Sequence, residues 1–419
     1  MLDRAAADPR TALMNFPTVR VQEGAASILV PELATSELEH LDRARSRAPV
    51  FYNPRMRLNR DSAILALGAY RKRSSRLAIA CEPFCGTGVR GIRLALEVEG
   101  VEKVVLGDMN QRAVELTREN ASLNGVSEIV AIRLMEANLL LSLHARPLQR
   151  FDYIDIDPYG SPAPFLDAGV RACRRGGLIA LTATDMAPLC GVNPRACLRK
   201  YGGHPLRTEY SRELALRLLT GALVTVAARH ETEVRPMFGY VDDHYVRLYA
   251  MLERGARGAD QSLADMGYVL HCFECSNRKG VPSTPVPDSI DCEICGSRMR
   301  AAGPLWIGEL AEEAFCGDML EISERSEVSS NRRLMNIISL VKDEIDFPPG
   351  FYSVDDLCSR FGTSSIAKDR FFLALRDAGF RVVETHIDKR GFRTDAKISD
   401  LEQLMMRRGT KGGGRSSVS

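Results

Sequence analysis

Short apolar runs alternate with stretches of helical period through residues 76–185. "RLAIACEPF" from Arg76, "EKVVLGDM" from Glu102, "IVAIRLMEAN" from Ile129, "FDYIDIDP" from Phe151 and "GGLIALTATD" from Gly176 read as buried strands. Between them, "GVRGIRLALEVEG" spaces Val89, Ile92 and Leu96 along one helical face. "NQRAVELTRENASLNG" is an amphipathic helix stopped by Asn124 and Gly125. Strands separated by helices of this length predict an α/β fold with a parallel, doubly wound sheet. "EYSRELALRLLTGALVTVAARH" predicts a long helix, and "RPMFGY" and "DHYVRLYAML" a closing antiparallel pair. The last third changes rhythm. "RRLMNIISLVKDEI", "VDDLCSRFG" after Ser353, and "SSIAKDRFFLALRDAGF" ending at Gly379 read as helices, and "RVVETHID" and "GFRTDA" as a small β-wing. Helices followed by a wing suggest a winged-helix-like module, a common nucleic-acid holder.

In a sheet of this kind ligands bind beyond the carboxyl ends of the strands. Three of those ends are polar. Glu82 leads into "CGTG", where Gly86 and Gly88 let backbone pass close to a ligand and open a helix. Asp108 ends the second strand, where a carboxylate can take both ribose hydroxyls. Glu136 and Ala137 in "MEAN" end the third. A glycine turn plus a distant acid fits NAD as well as S-adenosylmethionine, but the loop is not G-x-G-x-x-G, which counts against a dinucleotide. Asp157-Pro158-Tyr159 decides between them. A carboxylate and a backbone carbonyl can accept both N–H bonds of an exocyclic amine. Proline adds no competing donor, and the aromatic ring can stack on a base.

Net charge is only +2, so any nucleic-acid contact must come from local patches. "RMRLNR", "RKRSSR" and "ACLRKYGGHPLR" supply arginines for such contacts. No apolar run approaches the ~20 residues of a membrane span, and the N-terminus lacks a signal peptide's apolar core, so a cytoplasmic protein without a membrane partner is expected. The eleven cysteines, an odd number, read in a cytosolic chain as reduced thiols and possible metal ligands, not as a disulfide frame. Cys272 and Cys275, then Cys292 and Cys295, form two C-x-x-C knuckles. Pro282, Pro285 and Pro287 lie between the knuckles. This spacing predicts a zinc-ribbon-like insertion. The other seven cysteines read as packing residues. His244 reads as structural, since a sulfonium leaving group requires no acid.

"FYNPRMRLNRD" from Phe51, "GVRGIR" from Gly88, "DIDPYGSPAPFLD" from Asp155, "TDMAPLCG" from Thr184, "DHYVRLY" from Asp243 and "THIDKRGFRTDA" from Thr385 resemble, in order, the tRNA (guanine-26, N2) dimethyltransferase family. The resemblance implies a Rossmann-like class I methyltransferase sheet. It places Arg60, Arg90, Asp108, Glu136 and Ala137 on the family's S-adenosylmethionine contacts, beside the glycines Gly86 and Gly88. Asp157 falls on the proposed catalytic carboxylate, flanked by Pro158 and Tyr159, and Phe51 on an aromatic near the methyl-transfer pocket. Glu136 stands where the family more often has aspartate, and "EPFCGTG" departs from its usual serine- and alanine-rich loop.

The expected organisation is an N-terminal segment (1–50), a methyltransferase domain (51–260), a zinc-ribbon-like insertion (261–310), a C-terminal α+β, winged-helix-like RNA-binding domain (311–400) and a disordered basic tail (401–419). The expected activity is transfer of one or two methyl groups from S-adenosylmethionine to N2 of guanosine 26 in tRNA, with structural Zn2+ and no obligate protein partner. The alternatives are an amino-methyltransferase acting on another RNA or DNA, and an inactive zinc-ribbon RNA-binding protein.

Overall fold

The computed structural model describes residues 16–34, 48–282 and 290–409. Pro285, Pro287 and residues 410–419 of the expected tail lie outside them. By internal contacts the chain forms two units: 1–158 with 167–181 and 318–335, and 159–166 with 182–317 and 336–419.

The first unit opens with a hairpin, β1 (Thr18–Glu23) and β2 (Ala26–Pro31), paired from Thr18↔Pro31 to Glu23↔Ala26. Parallel strands follow: β3 (Ala78–Glu82), β4 (Val101–Asp108), β5 (Val130–Leu134), β6 (Phe151–Ile156) and β7 (Cys173–Ala183). They lie in the order β5-β4-β3-β6-β7 within a mixed sheet of seven strands. Each falls within or against a predicted apolar run. β6 is buried at every position, as a central parallel strand must be. It nevertheless carries Asp152, which accepts from Arg76 (2.6 Å), Arg174 (3.0 Å) and the Ile79 amide (3.0 Å). Paired in this way, a buried charge is tolerated.

The hairpin is part of this unit. Leu29 N donates to Asn120 Oδ1 (2.7 Å), and Asn120 Nδ2 donates back to Leu29 O (3.0 Å) and to Thr87 O (2.9 Å). Asn120, on the helix Gln111–Leu123, so satisfies part of the free edge of β2 and ties it to the glycine loop, and Asn124 pairs with Ser27 in the same way (2.9 and 2.8 Å). Residues 318–335, expected in the C-terminal domain, group here as well. Asp318 binds Lys72 (2.7 Å) and Arg73 (2.6 Å), and Asn331 donates to Asp61 (2.8 Å).

In the second unit β8 (Thr232–Asp242) and β9 (Tyr245–Arg254) form the expected antiparallel pair, with Val241↔Val246 beside the turn. His244 sits exposed in that turn, its ring edge-on to Tyr245 at 5.7 Å. β10 (Met266–His271), β11 (Arg278–Pro282) and β12 (Arg300–Trp306) make a small antiparallel sheet in the order β11-β10-β12. Toward the C-terminus, β13 (Tyr352–Ser353), β14 (Val382–Glu384) and β15 (Gly391–Thr394) form a third sheet in the order β13-β15-β14. It is interleaved with the helices Val354–Phe361 and Lys368–Asp377. Ser353 caps the first of these through Asp356 N.

The tail needs a correction. The helix Ile398–Gly409 occupies the first part of the segment expected to be disordered, because Ile398, Leu401 and Met405 repeat at helical spacing and are buried among Leu357, Phe371 and Phe392. No described helix is long and apolar enough to cross a membrane.

Candidate active site

The carboxyl ends of β3, β4, β5 and β6 bring most of the expected residues together. After β3 the chain turns through Gly86 (φ 54°) and Gly88 (φ 76°), both in the left-handed region that side chains disfavour. A Cβ on Gly86 would stand 2.9 Å from Phe51 O, so the loop and Phe51 are in close approach. Gly86 N donates to Asp108 Oδ2 (3.0 Å), and Asn110 N donates to Asp108 Oδ1 (2.9 Å). Each Asp108 oxygen has one backbone partner and lone-pair capacity left over. Met135 N donates to Asp108 O (3.0 Å), which joins the ends of β4 and β5. Glu136 follows and caps the helix Ala137–Leu143 by accepting from Leu139 N (2.8 Å). Its carboxylate is thus partly committed to its own helix. Met109 is 72% exposed and Leu134 51%. Exposed apolar side chains beside two strand-end carboxylates suit a flat heteroaromatic ring, and sequence reasoning did not single out Met109. An apolar residue directly after the strand-end acid was the available signal.

Arg90, expected among the S-adenosylmethionine contacts, is engaged by the protein's own groups. It is buried, and its guanidinium donates to Asp155 Oδ1 (2.5 Å), Asn59 Oδ1 (2.7 Å) and Asp157 Oδ2. Asp155 is fully buried and also accepts from Tyr153 Oη (2.6 Å). Asp157 is different. Its side chain is 17% exposed, and its second oxygen, Oδ1, takes no hydrogen bond from the described residues. The strand-tip carboxylate is therefore held by one oxygen and open at the other. Tyr159 is 70% exposed and Phe51 42%. Asn59, Tyr153 and Asp155 were missed as supporting groups, although Asn59 and Asp155 lie inside motifs singled out for their neighbours.

Arg60 is also committed. It makes a two-pronged contact with Glu23 (2.6 Å to each oxygen) and donates to Asn53 O (3.1 Å). Arg93 joins the same carboxylate (3.0 Å) and Asp61 (2.7 Å). Burial acts to raise the Glu23 pKa, but Arg60 and Arg93 outweigh it and hold the group at about 2. The other arginines of "RMRLNR" and "RKRSSR" are largely spent in the same way. Arg57 pairs with Asp61, Arg73 with Asp318 and Arg76 with Asp152. Arg57 and Arg76 nevertheless stay about half exposed (47% and 52%) and Arg55 is exposed, so the cluster still presents cationic surface.

Glu82 lies buried at the end of β3, accepting from Gly91 N (3.1 Å) with Arg90 3.7 Å away. Burial, with the negative charges of Asp155 and Asp157, outweighs Arg90 and pushes its pKa to about 8. The folded chain thus keeps a proton that the unfolded chain releases near 4.5. Unfolding releases a proton between these values, so this group makes stability fall as pH rises from 4.5 to 8. Glu82→Gln, which mimics the neutral form, should flatten the melting temperature across that window. Parallel curves for the two proteins would show that Glu82 is ionised in the fold.

The four paired cysteines converge. Their sulfurs all lie within 4.8 Å of one another, with Cys272 3.4 Å from Cys295 and Cys275 3.5 Å from Cys292. A tetrahedral ion with ~2.3 Å metal–sulfur bonds needs sulfurs ~3.8 Å apart. Each knuckle turns on a residue at positive φ, Ser276 (61°) and Gly296 (74°). The donor set and spacing fit Zn2+. The remaining cysteines are buried apart from half-buried Cys190, as packing residues would be.

The family model described as N2,N2-dimethylguanosine tRNA methyltransferase matches residues 24–406. The tRNA (guanine(26)-N(2))-dimethyltransferase of Methanothermobacter thermautotrophicus is 38% identical over 388 residues, covering 92% of this chain and 98% of its own. The tRNA (guanine(26)-N(2)/guanine(27)-N(2))-dimethyltransferase of Aquifex aeolicus is 35% identical over 387 residues, covering 92% and 95%. Among solved structures, Trm1 from Pyrococcus horikoshii in complex with S-adenosyl-L-methionine matches with a TM-score of 0.81 at 31% identity, covering 92% of this chain and 99% of that one.

Proposed function

The chain belongs to the N2,N2-dimethylguanosine tRNA methyltransferase family, and from that premise we propose that it methylates N2 of guanosine 26 in tRNA, once or twice, with S-adenosylmethionine as donor. The observation that carries this reading is the half-held carboxylate at the tip of β6. Arg90 fixes Asp157 through Oδ2, and Oδ1 stays open. An exocyclic amine presents N–H donors and a lone pair delocalised into the ring. Asp157 Oδ1 and the Pro158 carbonyl accept those N–H bonds, which orients the amine and favours its lone pair. Tyr159 and Phe51 supply aromatic faces for the base, which must leave its stack to reach them.

The bound donor supplies an electrophilic methyl group. The protein's part is position. Asp108 offers its remaining lone pairs to the ribose hydroxyls. Met109, Glu136 and Ala137 border the adenine, and Gly86 and Gly88 allow close backbone approach. Arg60 acts through the Glu23 ion pair by fixing the Asn53 region rather than by direct contact. Each methyl gained costs N2 one proton, which passes along the hydrogen bond to the Asp157 carboxylate and from this partly exposed group to solvent. Positioning of this kind supplies much of the acceleration in a direct displacement.

The four cysteines hold a structural zinc in a zinc-ribbon-like insertion built on β10–β12. The helices and sheet of the C-terminal segment form a winged-helix-like RNA-binding module, and the protein works in the cytoplasm. The decisive experiment incubates the protein with an unmodified tRNA transcript and a methyl-labelled donor, then maps the label by mass. Label on N2 of guanosine 26 is expected. No label, or label only on another nucleoside, would reject the reading.

A further inference from the structure

The two residues after Tyr159 are held from two sides. Gly160 N donates to Thr184 Oγ1 (2.9 Å), and Thr184 N donates back to Gly160 O (2.9 Å). Ser161 Oγ donates to Tyr201 Oη (2.8 Å) and accepts from Ala163 N (3.3 Å). Tyr201 Oη donates in turn to Asp185 Oδ1 (2.5 Å), and Lys200 Nζ donates to Asp185 Oδ2 (2.8 Å). Tyr159 and all of its anchoring residues belong to the second unit. Tyr201 is the last residue of the helix Pro194–Tyr201, and Thr184 and Asp185 directly follow β7. Three segments distant in sequence therefore meet in one hydrogen-bonded chain.

Ser161 and Tyr201 are buried, so their hydroxyls need partners inside the protein. Burial, with the hydrogen bond to Asp185, pushes the Tyr201 pKa far above the ordinary tyrosine value. The phenol keeps its proton and remains a donor to Asp185.

A buried tyrosine is usually satisfied by one acceptor, and Asp185 is that acceptor. The bond from Ser161 is additional. It reaches the loop that carries Tyr159, whose residue is 70% exposed. An exposed ring on a loop fixed at its next two residues loses little freedom when a base stacks on it. We propose that Tyr201, anchored by Asp185, is a positioning residue that acts through Ser161 to fix the loop presenting Tyr159 to the target guanine. The inference rests on the reading of Tyr159 as an aromatic face for the base. It gives "TDMAPLCG" and "ACLRKYGGHPLR" a part in the transfer through this loop.

The test is a double-mutant cycle read by single-turnover methyl transfer to an unmodified tRNA transcript, with every variant saturated in RNA and donor. Tyr201→Phe removes only the hydroxyl, and Ser161→Ala removes the other end of the same bond. Each should slow transfer roughly 3–10-fold, as loss of one hydrogen bond does, with S-adenosylmethionine affinity unchanged. Tyr159→Ala alone should slow transfer roughly tenfold or more through lost stacking. In that background neither Tyr201→Phe nor Ser161→Ala should slow transfer further, because the ring that they position is gone. Equal slowing in both backgrounds would mean that the chain acts independently of Tyr159. Unchanged transfer when Tyr159 is present would mean that the chain positions nothing. Either result overturns the proposal and leaves the enzyme reading standing. If wild type transfers no methyl group to the transcript, the enzyme reading falls and this inference falls with it.

Discussion

Replacing Asp157 by alanine is expected to slow methyl transfer by roughly 10²–10⁴-fold while leaving S-adenosylmethionine affinity within a few-fold of wild type. The structure makes this a clean experiment. Arg90 keeps Asp155 at 2.5 Å and Asn59 at 2.7 Å when Asp157 is removed, so its buried charge stays paired and the sheet has no reason to fail. Asp157→Asn sharpens the result. An amide oxygen can still accept from Arg90, but an NH2 group then occupies the open position, where an acceptor is needed. Donor would face donor, and the asparagine variant should be as slow as alanine. Single-turnover transfer and calorimetry of donor binding read the two effects separately. A near-normal rate for either variant would remove Asp157 from the chemistry.

How much of this was visible beforehand follows from sequence distance. The parallel strands were legible because each is an apolar run bounded by polar ends, a local property. Asp108, Asp157 and the glycine pair were legible because strand ends and turns are local too. The partners of the arginines were not. Arg60 meets Glu23 across 37 residues, and Arg90 meets Asp155 and Asp157 across 65 and 67. No periodicity encodes such a meeting. The family resemblance assigned both arginines to the donor site, and the structure adds that each guanidinium is engaged by carboxylates of the protein itself. Glu136 is the opposite case. A glutamate three residues before Leu139, at the start of a helix, is a local capping pattern that could have been read. The helix Ile398–Gly409 was lost because the glycine-rich, basic composition that follows it outweighed a short apolar repeat.

A tRNA with inosine in place of guanosine 26 should bind the enzyme and accept no methyl group there. Inosine keeps the ring and sugar of guanosine and lacks only the N2 amine. Most affinity should come from phosphate and shape contacts spread over the tRNA body, and these are unchanged. What is lost is the group that Asp157 Oδ1 and the Pro158 carbonyl would hold. A guanosine already carrying one N2-methyl should still react, because it retains one N–H for Asp157 to orient. Its rate reports how much of the positioning depends on the second hydrogen bond. The three transcripts are compared at equal bound fraction, so that the readout is chemistry rather than affinity. Methyl incorporation at inosine 26 would mean that a ring nitrogen is the acceptor. The open carboxylate at the tip of β6 would then need another explanation. An inert monomethyl transcript at equal bound fraction would mean that a single N–H is not enough for Asp157 to orient the amine.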